Sequence, residues 1–462
     1  MVDKKLTWRQ LLLIASLIFG MFFGAGNLIF PVQLGQLAGG NWIPATLGFL
    51  VTGTIVPFLA MLAVSVTRSR SVYDMAKPVG HWFGLLFLVV IHLTIGPFFG
   101  TPRTAATAFS MGVAPFLSAD HQQVGMLVFS ALFFGLAYFL TVKQAELTKH
   151  IGKYLNPLFI GLLVVVLLVA LFMPMGGTHQ VVNAAYQSNA GLQGVLDGYN
   201  TMDGLALLAL AVSVVYAVRG LGFGDHQVSK VLAKAGLLSI VIEGVFYTSL
   251  VLLGVSSLGQ FKPAANGGDA FAQIITHYAG NFGTALTGVL VTLAVFTTAM
   301  GLFVSFAQDL HLAFPKISYL SFLRLIAFGS FVTANAGLTN IVAWSVPVLM
   351  LLYPFALVLI LLSLFSNYFN RSTTIYRGAV AGVVLPALLD ALANSPFMGN
   401  HGVQGVVAAY HQYVPFSALG FGWIVPALVG TLIGCGFYVF SNVNQKQHNR
   451  VNSEVSVNIS HD

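Results

Sequence analysis

Residues 19–31 read FGMFFGAGNLIFP, which sets three glycines, an asparagine and a proline inside the first apolar run of the chain, residues 10–37. Glycine and proline weaken helical hydrogen bonding, and non-helical backbone at membrane depth survives only where protein buries it or a wet cavity meets it. Carbonyls freed at such a break can bind a cation, and amides freed at the start of the next half-helix can bind a carboxylate. The same small residues also suit a kink or a small-xxx-small packing surface, so the pattern by itself leaves both readings open.

The rest of the chain requires a membrane. Of 462 residues, 57% are hydrophobic and only 7% are charged, against roughly 25% charged in a soluble domain. Phenylalanine (38 copies) and glycine (48 copies) supply lipid-facing bulk and close helix contacts. The net charge of +7 is spread over short hydrophilic breaks and forms no dense basic tract, which argues against a nucleic-acid partner. Cys435 is the single cysteine, so neither a disulfide framework nor a thiolate metal site is available. Lys4, Lys5 and Arg9 precede an apolar run that continues past Phe30 with no cleavage signal, which reads as a retained first span.

A window of about 19 residues yields apolar segments at 10–37, 42–66, 82–114, 123–142, 154–174 and 203–219. A second set follows at 235–258, 283–308, 318–334, 339–365, 376–394 and 417–440, making twelve spans. With the N-terminus inside, Arg68, Arg70, Lys77, Lys143, Lys149, Lys153, Arg219, Lys230, Lys234, Lys316, Arg324, Arg371, Arg377, Lys446 and Arg450 all fall on the cytoplasmic side. Outside, the only loop cation is Lys262, while Asp120, Asp197, Asp269 and Asp390 lie in or beside outer breaks. Both termini are therefore expected in the cytoplasm. Two outer loops are long, 174–202 and 259–282, and the amphipathic Phe271-Ala272-Gln273-Ile274-Ile275 stretch of the second reads as a short helix capping a vestibule.

Four further features carry possible chemistry. Arg103 lies in the Gly- and Pro-rich third span, where it either neutralises a helix end or gates a pathway, or else snorkels outward from a shorter span. Thr297 and Thr298 follow Ala294 in the eighth span; such hydroxyls either bond their own backbone or contribute hard oxygen ligands to a cation. Glu243 sits within the seventh span as a proton-coupling group or as a protonated structural residue. His92 reads as a satisfied interior histidine, and Asp309 with His311 as a helix-end pair outside any site. No nucleotide loop, metalloprotease motif or nucleophile elbow is present, so the chain is not expected to be an enzyme. An ion channel or a membrane enzyme is the alternative of another class, and neither a pore-loop signature nor a catalytic dyad supports it.

Three segments, Phe22 to Pro31, residues 96–115 (GPFFGTPRTAATAFSMGVAP) and Tyr199-Asn200-Thr201-Met202-Asp203, resemble the bacterial branched-chain amino acid:cation symporters, and the similarity runs over the whole chain. The resemblance implies uptake of leucine, isoleucine and valine, coupled to Na⁺ or alternatively to H⁺. It further implies an all-α membrane protein of about twelve helices with a LeuT-like 5+5 inverted repeat, working as a monomer in lipid at the bacterial cytoplasmic membrane. Residues 1–200 would hold the first repeat and an outer loop, 201–370 the inverted repeat, 371–445 two peripheral helices and 446–462 a cytoplasmic tail.

By the same resemblance, the carbonyls of Gly20, Phe23 and Ala294 and the hydroxyls of Thr297 and Thr298 match a sodium site. Substrate would meet helix 1 near Phe22, Gly24, Ala25 and Gly26, with Asn27 shaping the break and Phe98 and Phe99 forming an oily wall. The sixth helix is expected to unwind as well, yet Ala209-Leu210-Ala211-Val212-Ser213 lacks glycines; Ala211 and Ser213 stand as its expected site residues.

Overall fold

The computed structural model describes residues 6–142 and 147–459, with the side chains of residues 21–22, 147–159, 225–226 and 442–459 outside that description. Lys4, Lys5 and Lys143, and the side chains of Lys149, Lys153, Lys446 and Arg450, therefore lie outside the described residues. Among those described, helices carry the fold and there is no strand.

The first span, α1, is two half-helices, α1a (Trp8–Phe22) and α1b (Ala25–Ala38). Next come α2 (residues 42–67), α3 (residues 81–112), α4 (Ala119–Val142) and α5 (Leu147–Phe172). The span α6 is again two pieces, α6a (Ala190–Gly198) and α6b (Asp203–Gly220). After α7 (Asp225–Ser257), a continuous run Gly267–Ala313 turns at Gly280, where the backbone leaves the helical region (φ 61°, ψ −168°). This divides an outer helix, residues 267–279, from α8, residues 281–313. The chain ends with α9 (Tyr319–Ala334), α10 (Leu338–Leu364), α11 (Thr373–Ala393) and α12 (Ile424–Ile459). Among the described residues, nine stretches are long and apolar enough to cross a membrane, three shorter apolar helices join them, and the stretch Ala25–Thr67 contains both α1b and α2. Counted as crossings, these make the twelve expected spans.

Because crossings alternate, Arg68, Arg70, Arg219, Lys230, Lys316, Arg324, Arg371 and Arg377 gather at one end of the bundle, here termed the basic end. The first broken helix enters from that end and the second, five spans later, from the other. The two breaks thus run in opposite directions, as an inverted five-helix repeat demands.

The polar stretch expected as outer loop, 174–202, contains α6a. Its sequence, AGLQGVLDG, is too short and too polar to register as a span, and it is held at depth by small residues. A Cβ on Gly48 of α2 would lie 1.8 Å from the Gly191 carbonyl, and one on Gly194 would lie 2.0 Å from that of Ala45. Thr52, within a wide turn of α2 (Val51–Ile55), donates to the Val195 carbonyl at 2.6 Å. Gly39, at the end of α1b, needs glycine twice over: its φ is +50°, and a Cβ would meet the Val181 carbonyl at 2.2 Å.

Substituting Gly48→Ala should force α2 and α6a apart and lower the stability of the detergent-solubilised protein by roughly 1–3 kcal/mol, the usual overpacking range. Gly161→Ala, at a position with open space around it, should leave the melting temperature unchanged or slightly raised. Equal behaviour of the two variants in a thermal-shift assay would contradict the packing described.

Candidate functional site

The break in α1 is short. Phe23 (φ −77°, ψ 86°) and Gly24 (φ −109°, ψ −165°) leave the helical region, and α1b restarts at Ala25. The last carbonyls of α1a and the first amides of α1b lack intrahelical partners at such a junction. Asn27 caps the restart: its Oδ1 accepts from the Gly24 amide at 3.0 Å. Its Nδ2 donates to Asp203 Oδ2 at 2.6 Å and also to the Tyr247 hydroxyl of α7. Tyr247 in turn donates to the same Asp203 oxygen at 3.5 Å. All three side chains are buried.

Asp203 opens α6b, so this bond joins the break in α1 to the break in α6. Between α6a and α6b the chain makes a single 3-10 turn, Tyr199–Thr201, followed by Met202 in the left-handed region (φ 62°). Thr201 Oγ1 donates to the Gly198 carbonyl at 3.0 Å and accepts from the Asp203 amide at 3.3 Å. A Cβ on Gly26 would touch the Thr201 backbone at 3.4 Å, so the breaks pack directly together.

The unwound part of α6 therefore precedes the segment expected to hold it. Ala211 and Ser213 lie about 12 Å or more farther along α6b at 1.5 Å per residue, Ala211 fully buried and Ser213 exposed. The expectation looked for glycines within an apolar run, whereas this break is made by a polar Asn-Thr-Met-Asp step. Asp203, an acid at the first position of an apolar helix, is the signal that could have revealed it.

Arg103 of α3 is 2% exposed and does not snorkel. Its Nη1 donates to the Asn200 carbonyl in the α6 break, its Nη2 to Ser345 Oγ of α10 at 3.2 Å, and its guanidinium lies 4.8 Å above the Phe30 ring of α1b. Its donors thus meet the carbonyl end of the α6 turn. Behind it, Tyr199 and Tyr353 stack at 4.0 Å. Glu243, one turn before Tyr247 on α7, is fully buried, and neither carboxylate oxygen has a hydrogen-bond partner.

From the basic end, a cavity of about 800 Å³ reaches this region, lined by Gly20, Ser213, Thr297, Thr298 and Asp309 among others. Thr298 faces the α1 break: its methyl and hydroxyl lie 3.7 and 4.0 Å from where a Cβ on Gly24 would sit. Thr297 donates to the Ala294 carbonyl at 2.7 Å, the self-bonded state open to such a hydroxyl. The ring of Phe23 packs on Phe19, Phe246 and Tyr247, at 5.1 Å from Phe19. Ala25 and Gly26 are buried; Phe22 ends α1a, and its side chain lies outside the described ones.

The oily wall expected from Phe98 and Phe99 is a correction. A wide turn at Thr94–Phe98 directs Gly96 against Phe306 of α8 and Pro97 against Gly329 of α9. Phe98 is left 48% exposed with its ring against half-buried Phe99. Away from the basic end, the outer helix seals the site: Gly267 meets the Ile29 carbonyl, and Ser110 of α3 donates to Asp269 at 2.5 Å. That helix buries Phe271, Ile274 and Ile275, as the amphipathic reading of the loop anticipated.

Removing the Asn27 amide would leave the buried Asp203 carboxylate short of a donor. Asn27→Ala should destabilise the purified protein by roughly 1.5–3 kcal/mol, the range for a hydrogen bond to a charged group, and an unshifted unfolding transition would contradict the pairing.

Comparison with known proteins places these features in context. Residues 7–441 match the family described as branched-chain amino acid transport protein. The chain is 35% identical over 443 residues to the branched-chain amino acid permease BrnQ of Bacillus subtilis, covering 95% of this chain and 99% of the relative. It is 37% identical over 432 residues to BrnQ of Lactobacillus delbrueckii, covering 93% and 96%, respectively. Among solved structures, Mhp1, a nucleobase-cation-symport-1 family transporter in a closed conformation with bromovinylhydantoin bound, shares the fold with a TM-score of 0.57. That match has 14% identity and covers 93% of each chain. The twelve-helix chain has the LeuT fold, is a transport protein and not an enzyme, and belongs to the branched-chain amino acid transport protein family.

Proposed function

We propose that the protein is a Na⁺-coupled symporter that takes up leucine, isoleucine and valine across the bacterial cytoplasmic membrane by alternating access. The observation that carries the reading is Thr298 of α8 lying against Gly24, at the α1 break and on the cavity wall. The carbonyls of Gly20, Phe23 and Ala294 and the two threonine hydroxyls would form the hard oxygen set that suits Na⁺. Thr297 can join through the lone pairs its hydroxyl keeps while it donates to the Ala294 carbonyl. The substrate carboxylate would meet the free amides at Ala25 and Gly26. With Phe98 directed outward, the aliphatic side chain has Phe23 and Phe30 as its nearest candidates.

Positive charge gathers on cytoplasmic loops, so the basic end is the cytoplasmic one and both termini lie inside. The cavity then opens inward while the outer helix covers α1b, an inward-facing arrangement. Transport would follow as α1 and α6, tied through Asn27 and Asp203, rock against α3 and α8. The two breaks lie within one chain, which fits a monomer as the working unit. Because one methylene is worth only roughly 1–3 kcal/mol in an apolar pocket, the three substrates should compete with one another.

Buried, unpartnered Glu243 supports a second reading in which the coupling ion is H⁺. Purified protein in liposomes separates the two. The sodium reading expects leucine accumulation only with an inward Na⁺ gradient, and expects Thr298→Ala to raise the half-saturating Na⁺ concentration at least about tenfold, equivalent to roughly 1.4 kcal/mol. Accumulation driven by a pH gradient alone, lost in Glu243→Gln and kept in Thr298→Ala, would replace it with the proton reading.

A further inference from the structure

His92 and Asp309 were expected to stand apart from any site, yet the fold brings them together. His92, on the first half of α3, is fully buried, and its Nδ1 lies 3.0 Å from the Leu88 carbonyl. A carbonyl only accepts, so Nδ1 carries a hydrogen. The opposite nitrogen, Nε2, lies 3.0 Å from Oδ2 of Asp309 on α8, and neither atom has another hydrogen-bond partner. In a neutral ring already protonated at Nδ1, Nε2 would present a bare lone pair to a carboxylate oxygen. Two acceptors at that separation, away from water, repel. A second ring proton turns the same contact into an attractive imidazolium–carboxylate pair.

We propose that His92 and Asp309 form a proton-binding site in the wall of the cavity, occupied as imidazolium and carboxylate. The Asp309 side chain is 15% exposed and lines the cavity, whereas His92 has no exposed surface. A proton therefore enters from cavity water onto the Asp309 carboxylate and passes to His92 Nε2, and it leaves by the reverse path. No other bond forms or breaks. With the proton bound the pair is neutral overall; without it, a single negative charge and a lone-pair repulsion remain between α3 and α8.

Among the described residues, the other titratable groups on this cavity are Arg70 after α2, Tyr216 of α6b, His311 of α8 and Tyr319 of α9. His311 Nδ1 is engaged by the Ile317 carbonyl at 2.7 Å, and Arg324 of α9 reaches Tyr138 of α4 instead. The ring beside His92 is the apolar Phe306, with centroids 6.4 Å apart. Among the described residues Asp309 is thus the ionisable partner of His92, independently of which ion drives transport.

The test is the nitrogen NMR spectrum of the full chain, labelled at histidine and held in lipid nanodiscs, with the His92 signals identified by their absence in His92→Gln. At neutral pH the wild-type ring should show both nitrogens protonated, and Asp309→Asn should leave one of them bare. Should His92→Gln fail to fold, the signals that change between wild type and Asp309→Asn make the identification. A wild-type ring with a bare nitrogen at neutral pH, or histidine spectra unchanged by Asp309→Asn, would overturn the proposal. Neither outcome bears on the sodium reading, which rests on Thr298 and the α1 break.

Discussion

The hydrogen bond from Asn27 to Asp203 is the constraint on which the centre of this protein depends. Each residue sits at the first turn of a half-helix, and each half-helix begins in the interior of the bundle. A helix that starts at membrane depth exposes amides that water cannot reach, so its first turn must be satisfied by protein or by a ligand. Asn27 meets the requirement on its own side by capping Gly24 through its oxygen and uses its amide hydrogens to hold Asp203, the acid that opens α6b, and Tyr247. The two discontinuities consequently form one polar centre.

Around that centre the chain has placed further charge sparingly. Arg103 reaches in from α3 to the carbonyl end of the α6 turn, and Glu243 lies buried beside Tyr247. A low-dielectric interior punishes unpaired charge, and here Arg103 shares the region with two buried acidic residues, Asp203 and Glu243.

Much of this was readable in the residues. The glycines of residues 19–31 marked α1 for either a break or a close-packed kink, and the Thr297-Thr298 pair was tied to that place by the family resemblance and not by its spacing. The α6 break was hidden because its means differ: Met202 takes a left-handed conformation without glycine, and α6a is too polar to score as a span. Phe98 was misassigned because a wide turn in α3 rotates every following side chain, and nothing in a one-dimensional pattern reports such a turn. His92 and Asp309 lie more than two hundred positions apart, so their contact is a property of the fold and not of any local motif.

The central claim, that ion and substrate meet where the two breaks adjoin, is tested most directly by determining the structure with leucine and Na⁺ present. The account predicts density for the amino acid against Gly24 to Asn27 and the Thr201–Asp203 turn, with a cation between α1 and Thr298. Clear density for leucine elsewhere, with the junction of the two breaks closed and unchanged, would contradict it.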